Sequence, residues 1–161
     1  MNFICAFVLL FGVSIVTGGN ETKYCESSEY FMIKHQKSGL VIDGKGEKLD
    51  QLKIETATKS MTQLWSLKMI EFGKFIIINR ATGRVLDIRY NKGAGSDIIA
   101  FPKHCKRNQQ WIIDHSTGHI AATYDNLVIE INAKNFVPGS GLVANPKKKG
   151  QPNQVFTIEP V

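Results

Sequence analysis

Three short stretches of this chain repeat one pattern: a glutamine, one residue of any kind, then a large aromatic. They read TQLWSL at 62–67, NQQWII at 108–113 and NQVFTI at 153–158. The aromatics Trp65, Trp111 and Phe156 fall 46 and 45 residues apart. A repeat of this length constrains the fold strongly. Each copy becomes one structural unit that buries its apolar face against its neighbours. Aligned on the motif, the copies share more. Each opens on an apolar stretch, turns through KSG, ATG or YDN, and enters a second apolar stretch closed by an acid, in LVID, VLDI and LVIE. The acids Asp43, Asp87 and Glu130 keep the period. A third short stretch and a loop then lead to the Gln-x-aromatic segment.

The stretches are rich in Ile, Val, Leu and Phe and are separated by turn residues, as strands and hairpins require. No window carries apolar residues at helical spacing over three turns. Four strands per copy and threefold pseudo-symmetry predict an all-β chain. Its barrel is closed and capped by hairpins, because closure leaves no exposed sheet edge. No linker divides the copies, so one domain is expected. Residues two apart on a strand face the same side. Trp65, Trp111 and Phe156 are therefore expected to fill one core. Gln63, Gln109 and Gln154 are expected on that face, nearer the rim, where a buried amide must find partners. They can tie each last strand to the loop carrying the acid.

The chain opens differently. FICAFVLLFGVSIV at 3–16 carries no charge, yet it is shorter than the ~20 residues a membrane span needs. The small residues of TGGN follow. This predicts a secretory signal peptide over residues 1–18 and a mature extracellular domain over 19–161, with no stable membrane insertion. Loss of Cys5 leaves Cys25 and Cys105. One disulfide between them is the expectation for a secreted chain, with two unpaired thiols as the alternative. The formal net charge of +6 favours anionic partners such as sulfated glycans or acidic proteins.

Three Gln-x-Trp/Phe copies, each with an upstream acid, resemble the ricin B-type lectin domain, a β-trefoil of three four-stranded repeats. The resemblance covers about Tyr30 to Ile158. It implies a monomeric lectin that binds glycans or glycoproteins in shallow pockets, at most one per repeat. It implies no catalysis, no cofactor and no nucleic acid. In that family a pocket combines the acid closing the second strand, an aromatic on the third strand, and the Asn before the Gln. The chemistry suits a sugar. A carboxylate accepts strong bonds from adjacent hydroxyls, a ring offers a flat apolar surface, and an amide both donates and accepts. By this resemblance the middle repeat is complete, with Asp87, Phe101 and Asn108 in place. Gln109 would hold the Asp87 carboxylate, and Ile99 would line the pocket beside Phe101. Phe stands where Trp or Tyr is more usual. Galactose-type glycans are the expected ligands.

The other two repeats depart from the pattern. The first keeps Asp43 and Gln63, but Thr62 replaces the Asn, and LKIETAT at 52–58 offers no aromatic. The third keeps Asn153 and Gln154. Its acid is the longer Glu130, and LVANPKKK at 142–149 has no aromatic. Both are expected to be weak or vestigial. The third repeat instead carries Lys147, Lys148 and Lys149 in one loop. With Lys134, Lys103, Lys106 and Arg107, these can form a basic rim that binds sulfated glycans or phosphates through charge. That gives a second reading, a β-trefoil interaction protein that has lost its sugar pockets.

Other motifs carry less. His115 and His119 are four apart, but they span a turn with no further ligands, whereas structural zinc takes four. No metal site is expected. The run Asp114-His115-Ser116 lacks the Gly-x-Ser-x-Gly elbow of a serine hydrolase. Nothing in the chain points to an enzyme.

Overall fold

The computed structural model describes residues 29–161 in full. Of the preceding segment it describes three short backbone strands, β1 (Cys5–Val8), β2 (Val13–Gly18) and β3 (Glu21–Tyr24), paired in a sheet of their own. The rest of the expected signal peptide, residues 1–18, lies outside the described residues, as does Cys25.

The body is a twelve-stranded sheet, four strands to each repeat. The first repeat supplies β4 (Phe31–His35), β5 (Val41–Asp43), β6 (Lys53–Glu55) and β7 (Trp65–Glu71). The second supplies β8 (Lys74–Asn79), β9 (Val85–Ile88), β10 (Ile98–Phe101) and β11 (Trp111–Asp114). The third supplies β12 (His119–Ala122), β13 (Leu127–Ile131), β14 (Leu142–Pro146) and β15 (Phe156–Pro160). This is the predicted β-trefoil.

The outer strands of each repeat build the barrel. β15 pairs with β4, β4 with β7, β7 with β8, β8 with β11 and β11 with β12, all antiparallel. The Phe156 N–H donates to the Gly118 carbonyl at 2.7 Å and closes the ring. Gly118 suits that seam for two reasons. Its φ is +73°, and a Cβ there would stand 2.7 Å from Val155 Cγ1 and 3.0 Å from the Phe156 carbonyl oxygen. A left-handed φ and a close backbone approach both favour glycine.

The inner strands pair as hairpins, β5 with β6, β9 with β10 and β13 with β14. These cap one end of the barrel and meet one another. Gln51 bridges to Ile99, Lys53 to Gly141 and Asp97 to Val143. The Gln51 amide donates to Asp97 Oδ1 and to the Leu142 carbonyl, joining all three repeats.

Trp65, Trp111 and Phe156 lie in one core with Phe31, Ile33, Ile77 and the apolar residues of the caps. Each indole also donates to the strand that carries its acid, Trp65 to the Ile42 carbonyl and Trp111 to the Leu86 carbonyl. A buried indole N–H needs such a partner.

The glutamines depart from the sequence expectation. They do not sit on the strands but in short 3-10 turns, Met61–Gln63, Arg107–Gln109 and Pro152–Gln154, immediately before them. All three side chains are buried rather than near the rim. The turn points each amide back toward its own acid.

Candidate functional site

Each buried glutamine does the same job. Gln109 Nε2 donates to Asp87 Oδ2 at 2.7 Å and to the Pro102 carbonyl at 3.0 Å, while its Oε1 accepts from the backbone N–H of His104 and Cys105. Gln63 links Asp43, the Thr56 carbonyl and the Thr58 N–H in the same way. Gln154 links Glu130, the Pro146 carbonyl and the Lys148 N–H. The motif thus fastens the acid strand to the loop after the third strand. The surroundings of the three acids then differ.

In the middle repeat the parts converge. Asp87 is 2% exposed on a strand buried along its whole length. Its Oδ1 accepts from Asn108 Nδ2 at 2.8 Å, which also donates to the Ile88 carbonyl. Asp87, Asn108, Ile99 and Phe101 line one small pocket of about 120 Å³ together with Leu49, Tyr90 and His104. Asp87 and Ile99 are paired across β9 and β10. Burial raises the Asp87 carboxyl above its ordinary value, opposed by the hydrogen bonds from Gln109 and Asn108 and by the neighbouring His104. The opposition comes from donors fixed on the carboxylate, which favour its charged form.

Three lining residues were not foreseen. His104 Nε2 lies 3.4 Å from Asp87 Oδ2, and its ring tilts toward Phe101 at 6.0 Å between centroids. It stands in the loop that Gln109 fastens, so its sequence position beside Phe101 was the available signal. Tyr90 is exposed at the rim, and both it and Asn91 adopt a left-handed backbone, at φ 54° and 55°. Asn tolerates that region, but a bulky Tyr seldom enters it, and such strain is often found near functional sites. Leu49 belongs to the first repeat and carried no sequence signal at all. It arrives through the cap pairing of Gln51 with Ile99.

The first-repeat acid has no comparable surroundings. Asp43 accepts from Gln63 and from the Lys45 N–H. The wide, open concavity beside it is lined by polar residues such as Asp50, Thr56 and Ser60, with no aromatic. The third-repeat acid is spent internally. Glu130 Oε2 accepts from Gln154, and its Oε1 accepts from Asn145 Nδ2 at 2.9 Å. Asn153 donates to the Ile131 carbonyl, as Asn108 does to that of Ile88, but makes no bond to the acid.

The remaining candidates are placed as follows. Lys147 lies 3.4 Å from Asp114, so it is paired, while Lys148 and Lys149 are exposed. Asp114 is a turn cap. It accepts from the Ser116 and Thr117 hydroxyls and backbone N–H groups, and these hold its carboxyl below the ordinary carboxylate range. His119 is buried beside Thr117. Among the described residues no cluster of three His, Cys, Asp or Glu can hold a metal. Cys105 is an exposed free thiol in this structure, and its expected partner Cys25 lies outside the described residues.

The family model of the ricin-type beta-trefoil lectin domain matches residues 29–156. No curated protein sequence matches the chain. Among solved structures, the chain is similar to ThreeFoil, a designed threefold-symmetric protein. The TM-score is 0.73 at 19% identity, covering 82% of this chain and 99% of that one. It is also similar to the ricin B-like lectin of Macrolepiota procera solved with lactose, at TM-score 0.69 and 18% identity, covering 81% and 94%. The C-half of the earthworm R-type lectin solved with GalNAc gives TM-score 0.64 and 21% identity, covering 83% and 99%. At these identities the likeness establishes the fold.

Proposed function

Because this chain belongs to the ricin-type beta-trefoil lectin domain family, we infer that it binds carbohydrate, through the middle repeat and with galactose-type glycans as ligands. One observation carries the reading. Only around Asp87, among the three acids, do a buried carboxylate, an Asn amide and an aromatic ring line one pocket.

The chemistry follows from the geometry. Two adjacent sugar hydroxyls donate to the Asp87 carboxylate, whose position Gln109 and Asn108 fix in advance. Charged acceptors make the stronger hydrogen bonds, and a preset geometry lowers the cost of ordering the site. The Asn108 Oδ1, which makes no hydrogen bond among the described residues, accepts a further hydroxyl. The C–H face of the sugar lies on Phe101, with Ile99 as the wall. A pocket this small gives weak affinity for a single glycan, and arrayed glycans raise it by avidity. The uncharged apolar segment at 3–16 supports secretion of the protein,. The lysine loop supports the interaction-protein alternative less well, since Lys147 is already neutralised by Asp114.

A glycan array comparing the native protein with Asp87→Ala and Phe101→Ala tests this reading. Galactose-type glycans should bind the native protein, and Asp87→Ala should remove the signal. Phe101→Ala should weaken binding by about tenfold, the worth of one aromatic platform. Phe101 is only partly buried, so that variant keeps its fold if Asp87→Ala does not. Binding that survives both substitutions would place the site elsewhere.

A further inference from the structure

The middle pocket is finished by a piece of the first repeat. Residues 47–50 form a tight turn, in which the Asp50 N–H donates to the Glu47 carbonyl at 3.1 Å and the Glu47 N–H donates to Asp50 Oδ2 at 2.8 Å. Two arginines hold the segment. Arg84 donates to the Gly46 carbonyl, and Arg89 donates to the Leu49 carbonyl while pairing with Asp97. The turn is thus anchored on both sides. Its two central residues are Lys48 and Leu49. Leu49 lines the pocket wall, and the Lys48 ammonium stands 5.6 Å from the centroid of the Phe101 ring. No carboxylate among the described residues pairs with Lys48.

We propose that the middle pocket selects glycans carrying an anionic substituent, a carboxylate or a sulfate ester, which Lys48 binds while Asp87 takes the hydroxyls of the same sugar chain. This rests on the pocket reading above and adds the ligand's charge to it. The two charged groups divide the site. Asp87 is buried at its floor behind Asn108 and Gln109, where neutral hydroxyls suit it and an anion is repelled. Lys48 is exposed and stands over the Phe101 ring, the one a sugar would use. An ammonium rests on an aromatic face by a weak attraction. A ligand anion draws it away and makes a stronger, charge-assisted bond. The ring is then free for the C–H face of the sugar. A neutral glycan must displace the ammonium without that return.

The test measures dissociation constants by titration calorimetry for lactose, sialyl-lactose and sulfated lactose. The proteins are native, Lys48→Met and Asp87→Ala, at low and at physiological ionic strength. Lys48→Met keeps the stem and removes the charge. At least one acidic ligand should bind the native protein roughly threefold to tenfold tighter than lactose, the range open to an exposed charge contact. The ratio should fall toward one in Lys48→Met and with added salt. Preference for sialyl-lactose alone names the carboxylate as the ligand group, and preference for sulfated lactose alone names the sulfate. Equal binding of all three, or a preference that survives Lys48→Met, would overturn the proposal. The pocket reading would still stand if Asp87→Ala abolished that binding. Failure of all three ligands to bind, or binding that persists in Asp87→Ala, would overturn both.

Discussion

His35 shows how a single buried residue couples this fold to pH. It is fully buried at the end of β4, packed edge-to-face on Phe136 with 4.4 Å between ring centroids. Its Nε2 bonds the Pro152 carbonyl at 2.8 Å. A carbonyl only accepts, so Nε2 carries the proton. Nδ1 then accepts from Ser38, through the hydroxyl at 2.8 Å and the N–H at 3.3 Å. A second proton would remove the bond from the Ser38 N–H, force the Ser38 hydroxyl to turn and accept, and bury a charge near Lys37. Burial, and then Lys37, lowers its pKa against the opposing pull of the Pro152 carbonyl. The folded state therefore prefers the neutral ring. Stability is intact above the ordinary histidine value of 6.5 and is lost as pH falls below it toward the lowered native value,. His119 is shifted the same way, first by burial. The melting temperature should drop on acidification below about pH 6.5, and His35→Gln should show a shallower drop. Equal slopes in the two proteins would mean that His35 does not carry the effect.

At the scale of the element, the 3-10 turn that holds Gln109 serves fold and site together. Its amide joins Asp87 on β9 to the loop at 102–105. Gln109→Ala would leave a buried carboxylate short of a donor and two loop N–H groups without their acceptor. A loss of about 3 kcal/mol is expected in chemical denaturation, the usual cost of stranding buried polar groups. Sugar affinity should fall with it, because the same bonds fix Asp87. A loss under about 1 kcal/mol would show that the loop is held by other contacts. The motif was legible because it repeats. Its turn geometry was not, since an i, i+2 pattern of Gln and aromatic fits an extended strand equally well. The indole donors to Ile42 and Leu86 also escaped the pattern. They depend on which backbone carbonyl packs under each ring.

For the whole molecule, three repeats of one design differ in what surrounds each acid, and among the described residues an Asn amide and an aromatic ring line a pocket with the acid around Asp87. Asp43→Ala and Glu130→Ala should leave glycan binding on an array at the native level, while Asp87→Ala removes it. Loss of binding in Glu130→Ala at full folding would show that the third repeat also works. The threefold cap explains how the repeats came to differ in kind. Because the hairpins meet through Gln51, Ile99, Lys53 and Gly141, each loop lies against the next repeat as well as its own. Leu49 reaches the Asp87 pocket, and Lys48 the Phe101 ring, by that route. The Asn145 amide, by contrast, stays within its own repeat and occupies Glu130.

By itself the sequence determined the number of repeats, the all-β trefoil, the three core aromatics and the pairing of each acid with its glutamine. It also singled out Asp87, Phe101 and Asn108. The repeats, the strands and the core aromatics are properties of spacing, and the threefold repetition separates them from chance, whereas the trefoil and the three site residues came from the resemblance to the ricin B-type family that the motif carries. Only the tertiary structure decided the rest. It buried the glutamines in turns, neutralised Lys147 on Asp114, consumed Glu130 and carried a first-repeat lysine to the middle repeat's aromatic. The lysine contacts depend on the distance between side chains far apart along the chain. No local pattern encodes that distance, because it is set when the barrel closes and the three hairpins pack together.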